Sequence, residues 1–475
     1  MNTRFFPTWT LAGLLAAILT APALGQSTDI KDISWYIHAS PFPMPEVVQP
    51  HFPNKDFRLP DYGGKGDGKT LNTDAFRAAI HACSEAGGGH VIVPAGQWLT
   101  GPIELRSHVD LHLEKGAQVL FTKDHSQYPM LGRAIASPVY GRDLEDIALT
   151  GDGVMDGAGE SWRPIKKIKM TPEQWQGLLA SGGVVDEAGQ IWWPSQEARD
   201  NDRLRPYMVS LIGCKRVLVQ GVTLRNSPKF VFCPNNCTDL TLDHANIFNE
   251  WWAQNGDGID ISACKRVVIY QCTVNAGDDG ICMKSSGARP DGPALENIVI
   301  AGCIVYRAHG GFVIGSNTDG GIHNIFVSDC TFSGTDVGLR FKSNMGRGGL
   351  VNDIFIRNIS MMNIAGAAVL FDTYYEDVPA GTTQDPNRAR PTDKTPEFRD
   401  FHISNINCQG AKTAIAITGL PQMPVSRIFF DKVTITAGKG VVATQAKEID
   451  LHNVKLSVKQ PPVIQADATA DIRVR

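Results

Sequence analysis

The chain has almost no charge imbalance. Its 475 residues carry 45 Lys and Arg against 49 Asp and Glu, a formal net charge of -4, with no long run of either sign. A nucleic-acid surface normally shows as clustered Lys and Arg, and nothing here suggests one. Long hydrophobic runs are also missing: beyond the first 25 residues no segment approaches the ~20 apolar residues that cross a bilayer, so the mature chain is not expected to insert stably in a membrane. No Cys or His pair has zinc-ligand spacing, and no metal or cofactor is expected. The leucine template of a horseshoe repeat is absent too.

What is present begins with a leader. Arg4, the apolar stretch "LAGLLAAILTA" and the small residues "APALG" read as an export signal over residues 1–25, cleaved near Gln26. Residues 26–56 then form an N-terminal extension, and the mature protein is expected to be periplasmic or secreted. Ten cysteines in an exported chain permit disulfides. Cys214, Cys237, Cys264, Cys272, Cys303 and Cys330, however, each flank a strand-like run at repeat spacing. A buried column of free thiols fits these positions at least as well as bridges. Cys233 and Cys237 are close enough for a local bridge.

Short apolar triplets recur along the chain: "VLV" at 217, "LTL" at 240, "VVI" at 267, "IVI" at 298, "IFV" at 325 and "IFI" at 354. Their intervals are 23, 27, 31, 27 and 29 residues. Later members are "FHI" at 401, "IFF" at 428 and "IDL" at 449. Period-two alternation marks strands, and a period of 20 to 50 residues marks a stacked repeat. A propeller needs four strands per repeat, too many for these intervals. The expectation is an all-β right-handed parallel β-helix over residues 57–475. "TDAFRAAIHACSEAGGG" places Phe76, Ala79, Ile80 and Cys83 at helix spacing, opened by Thr73 and stopped from Gly87, as a capping helix for the open end. Residues 158–208, with Trp162, Trp175, Trp192 and Trp193, break the rhythm and read as an inserted loop or small lobe.

The polar groups near the triplets carry the chemistry. Asp257 in "QNGDGID", Asp279 in "AGDDG", His309 in "RAHGG" and Arg340 in "GLRFKSN" are 22, 30 and 31 residues apart. Strands in a sheet lie about 4.8 Å apart, so one coil per interval sets these groups in a ladder on one face, with Asp278 and Lys342 beside them. Glycoside hydrolysis needs one carboxylic acid to protonate the leaving oxygen and a second carboxylate to activate water, roughly 6.5 to 9.5 Å apart in an inverting enzyme. Crowded carboxylates raise one pKa and keep one proton. Arg340 and Lys342, two apart on a strand, share a face and suit a substrate carboxylate; an acidic sugar is the natural ligand. Asn255 is read as orienting Asp257 and touching substrate. Tyr374, in "FDTYY" with Asp372 and Tyr375, is read as lining a subsite.

"NGD", "GDD", "AHGG" and "RFK", in this order, resemble the motifs of glycoside hydrolase family 28, the polygalacturonase-like pectin hydrolases. "DYGGKGDGKTLNTDAF" is similar to that family's N-terminal region, and the resemblance runs from about Phe57 to the C-terminal coils. "HGGFVIGS", "GTDVGLRFKSN" and "GRGG" look most like the bacterial exo-acting branch. The resemblance implies a metal-independent, inverting hydrolase of α-1,4-linked galacturonate, with pectic polysaccharide or oligogalacturonide as substrate. It implies Asp278 as general acid, Asp257 and Asp279 as activators of water, and His309 as tuning the acid or touching sugar. Arg340 and Lys342 would hold the galacturonate carboxylate. The segment at 158–208 hints at a blocked cleft end and hence exo action. Three departures stand out: Gly256 replaces Thr, Phe341 replaces Ile, and His309 lies five residues before Ile314 rather than four. Such a one-residue slip reverses side-chain direction unless a bulge absorbs it. Rhamnogalacturonan hydrolysis, a pectate lyase, or a non-catalytic polysaccharide-binding β-helix are the alternatives.

Overall fold

The structure, a computed structural model, describes residues 30–287, 289, 292–375 and 390–475. The leader read at residues 1–25 lies outside them. Asp32–Arg475 is one compact unit, and its framework is a parallel β-helix whose strands join into one 31-stranded system. Each coil contributes three short strands, and each strand pairs in parallel with its counterpart one coil on. The recurring triplets are the first of the three: Leu218 pairs with Thr241, Thr241 with Val268, Val268 with Val299 and Val299 with Phe326. Among the described residues, no helix is long and apolar enough to cross a membrane.

Alternation puts every second side chain inside. Ile259, Ile281, Phe312, Leu339 and Val369 stack in register, all fully buried. Each such side chain contributes about 1.5–3 kcal/mol by leaving water. The corners bend through left-handed residues that also repeat by coil, among them Asp239, Asn297, Asn324 and Asp353, each with φ between 55° and 62°. Asn and Asp tolerate that region better than other side chains.

The open N-terminal end is covered by the helix Thr73–Glu85, which buries Ala75, Phe76, Ala79, Ile80 and Cys83. All ten cysteines are free and buried. Six stack as interior columns, with the Cys237 amide donating to Cys264 Sγ at 3.4 Å. The suggested Cys233–Cys237 bridge does not form: Cys237 sits in the core, whereas Cys233 lines the outer cleft described below. Residues 158–208 form an ordered lobe. It holds the helix Pro172–Ala180, started by a Thr171/Gln174 capping box, and a small antiparallel sheet of Ile165–Lys166, Val184–Val185 and Ile191–Trp193. Trp162, Trp175, Trp192 and Trp193 are all buried.

The extension before the first coil is a strap along the stack. Trp35 lies under Arg357, Phe42 packs on Phe355 and Tyr36 on Tyr270. Gln49 Nε2 donates to Thr241 Oγ1 at 2.7 Å, and Phe52 meets His90.

Candidate active site

The third strand of successive coils forms the floor of a cleft: Val209–Ile212, Phe232–Asn235, Ile259–Ser262, Asp279–Lys284, Gly310–Ile314 and Val337–Lys342. Ser210, Cys233, Asp260, Cys282, Val313 and Arg340 are its outward-facing column, paired coil to coil. The expected ladder is therefore shifted. Register brings Asp257 opposite Asp279, but Asp279 pairs with Gly310, which leaves His309 opposite Asp278. Arg340 aligns with Val313 and belongs to the row of Asp260. A column of glycines explains the geometry. A side chain on Gly258, Gly280 or Gly311 would strike Val274, Val305 or the Phe332 ring inside the coil. The backbone therefore presses inward there, and the residues just before turn outward.

Despite the shift, the side chains converge. One oxygen from each of Asp257, Asp278 and Asp279 lies within 4.8 Å of the others. That is tighter than the separation expected above for an inverting pair. Arg340 Nη1 donates to Asp279 Oδ1 at 3.0 Å and Lys342 Nζ to Asp279 Oδ2 at 2.7 Å. Both cations reach across the intervening coil, and Arg340 passes over Gly310, where a Cβ would sit 3.2 Å from Arg340 Cβ and Cδ. Lys284 Nζ binds Asp257 Oδ2 at 3.0 Å and Asp260 Oδ2 at 2.5 Å. His309 Nδ1 lies 3.1 Å from Asp278 Oδ1. Three carboxylates in this arrangement could hold a cation, but Lys284 already binds Asp257, and Arg340 and Lys342 bind Asp279.

Four carboxylates, Asp257, Asp260, Asp278 and Asp279, thus face three buried cations. The surplus negative charge favours retention of a proton within the cluster. Burial pushes Asp257 well above the ordinary carboxylate range, against the opposing charge of Lys284. Burial raises Asp260 as well. Burial acts to raise Asp278 too; a charged His309, through its hydrogen bond and its charge and helped by Lys342 and Lys284, outweighs burial and holds Asp278 low. Three buried atoms of the cluster have no partner: the Oδ1 acceptors of Asp257 and Asp260 and the Arg340 Nε donor. Leaving such groups unpaired is costly, and Asp257 and Asp260 belong to a cavity wall.

The cavity over the four aspartates, Lys284 and Lys342 holds about 480 Å³ and is also lined by Tyr207, Phe230, Cys233, Asn255, Arg347 and Tyr375. A family profile described as "Glycosyl hydrolases family 28" matches residues 164–458. The chain belongs to glycosyl hydrolase family 28. A probable polygalacturonase of Vitis vinifera is 28% identical over 430 residues, covering 85% of this chain and 79% of the relative. An exo-poly-alpha-D-galacturonosidase of Dickeya chrysanthemi is 28% identical over 447 residues, with 85% and 71% covered. The hyperthermoactive exopolygalacturonase from Thermotoga maritima superposes with a TM-score of 0.71 at 28% identity, over 86% of this chain and 94% of that one. This family 28 chain is accordingly a glycoside hydrolase.

Of the residues named from sequence, Asp257, Asp278, Asp279, His309, Arg340 and Lys342 meet at one point. Asn255 lines the cleft, but its side-chain oxygen accepts from Arg205 Nη2 at 3.1 Å rather than orienting Asp257. Tyr374 is not part of the cavity wall; its neighbour Tyr375 is, with Lys342 Nζ 4.7 Å and the Arg340 guanidinium 5.4 Å from its ring centre. Lys284 was missed, although its place two residues after Cys282 puts it on the outward face of the same strand. Asp260 shares Lys284 with Asp257. Lys169, from the lobe, carries no repeat signal at all.

Proposed function

We propose that the protein is an exported polygalacturonase that hydrolyses α-1,4 linkages between galacturonate units of pectin, acting from chain ends by single displacement with inversion. One observation carries this reading: three carboxylates face one another over a single cavity that has Lys342 in its wall. Asp278, the most accessible of the three, protonates the leaving oxygen. Asp257 and Asp279 are only 3% and 1% exposed, too deep for direct attack on a sugar carbon. A water held on the unpartnered Asp257 Oδ1 does reach it, and that supports inversion in spite of the close carboxylate spacing. Arg340, through its unused Nε, and Lys342 take the substrate carboxylate. Exo action draws on the names of the Dickeya and Thermotoga relatives and on the lobe, whose Tyr207, stacked on Phe230 at 5.0 Å, stands at the edge of the cavity.

The test is incubation with polygalacturonate, following products by chromatography and the first anomer by proton NMR. Monomer alone from the earliest time points and initial β-anomer are expected. A ladder of oligomers would show the chain running past Tyr207 into the neighbouring cavity lined by Arg133, Arg142 and Arg203, and would overturn exo action. Initial α-anomer would overturn inversion. Export is checked by locating activity in periplasm and medium, and mass spectrometry of the mature N-terminus tests cleavage near Gln26.

A further inference from the structure

Lys169 belongs to the lobe, at the end of the turn Lys167–Lys169, yet its ammonium ends beside the catalytic histidine. Nζ lies 2.8 Å from the Gly277 carbonyl, 3.0 Å from the Trp251 carbonyl and 3.4 Å from His309 Nε2. It also sits 5.8 Å from the centre of the Trp251 ring. We propose that Lys169 is a positioning residue that fixes the tautomer of His309, so that the ring stays neutral and donates from Nδ1 to Asp278.

The argument is one of donor counting. An ammonium has three hydrogens and no lone pair. Two go to the carbonyls, and the third points at Nε2, which must then present a lone pair. The ring proton is left on Nδ1, facing Asp278 Oδ1. An imidazolium would set an N–H against the ammonium. The competing partner for Nε2 is Asp336, whose Oδ2 is 3.8 Å away and whose side chain is 62% exposed; that distance is beyond a hydrogen bond. Burial lowers the Lys169 ammonium below the ordinary lysine value, while Asp278 and Asp336 support its charge.

The assignment deepens the acid role given above to Asp278 and rests on it. An imidazolium in contact with Asp278 would hold that carboxyl ionised and unable to give up a proton. A neutral N–H serves both forms of the carboxyl and keeps it aimed at the leaving oxygen. The lobe thereby supplies a group that the coils themselves lack.

The experiment is a long-range nitrogen–proton correlation spectrum of the full protein with labelled histidine, with His309→Gln for assignment. The expected wild-type signal has Nδ1 protonated and Nε2 bare, unchanged in Asp336→Asn. Lys169→Met should yield mixed tautomers and lower kcat about ten- to a hundredfold with little change in KM, and Lys169→Arg should restore much of both. A wild-type ring protonated at Nε2, or an unaltered signal or unaltered kcat in Lys169→Met, overturns the proposal. The spectrum does not depend on turnover: if Asp278→Asn stayed active while the tautomer was as expected, the acid assignment would fail and the lysine contact would stand.

Discussion

Gly310 is the position where one methyl group should cost more activity than its cost in stability explains. Arg340 and Lys342 reach Asp279 only by crossing the coil that holds Gly310. A Cβ there would lie 2.5 Å from Val313 Cγ2 and 3.2 Å from both Arg340 Cβ and Cδ. Gly310 does not have a positive φ, so alanine meets no backbone obstacle; it meets buried Val313 and the arginine. Displacing Arg340 by a few tenths of an ångström loosens its 3.0 Å bond to Asp279 and moves the Nε donor. A hydrogen bond to a charged group contributes ~1.5–3 kcal/mol, so Gly310→Ala should lower kcat/KM on oligogalacturonides by about ten- to a hundredfold. The control is the next residue. A Cβ on Gly311 would lie 2.4 Å from the Phe332 ring inside the coil. Gly311→Ala should therefore lower stability by about 1–3 kcal/mol of overpacking. Initial rates and thermal unfolding of both variants suffice. If Gly310→Ala kept wild-type kcat/KM, or lost it only in step with its melting temperature, the crossing-arginine argument would be wrong.

Two further outcomes follow from the charge cluster. Asp257 has its folded pKa raised above the ordinary aspartate value of 3.8 by burial, so the folded state holds this proton more tightly than the unfolded chain. That contribution is complete below 3.8 and is lost as pH rises through the folded value. Asp257→Asn should thus be inactive, yet gain in melting temperature relative to wild type as pH rises, with the difference vanishing in acid; a variant that falls further behind as pH rises would contradict the sign. Tyr375→Leu removes the ring facing Arg340 and Lys342 and should raise KM several-fold with kcat nearly kept, about 1 kcal/mol at a cation–π contact. A fall in kcat alone would place Tyr375 in the chemistry rather than in binding.

The coil plan was legible because it is written in short-range alternation: "VVI", "IVI" and "IFV" predict inward columns that pair in register. The site was legible in composition but not in register. Counting one coil per interval aligned Asp279, His309 and Arg340, whereas the glycines at 258, 280 and 311 shift the backbone and set His309 against Asp278. The one-residue slip in "AHGG" is what makes that contact. Lys284 was recoverable from strand parity. Lys169 and Tyr207 were not, since they arrive from an insertion whose path over the cleft depends on tertiary packing of its tryptophans.

The strap has a mechanical consequence. In a pure repeat array each coil answers only to its neighbours, so unravelling begins at an end and proceeds by single steps. Here one stretch of chain is fastened at His90, Thr241, Tyr270 and Phe355, splinting the middle coils into a single cooperative block that includes the aspartates. The turns built on Phe401, Ile428 and Ile449 lie past its last fastening in the chain, and deuterium should enter their amides first, leaving the working centre closed while the tail breathes.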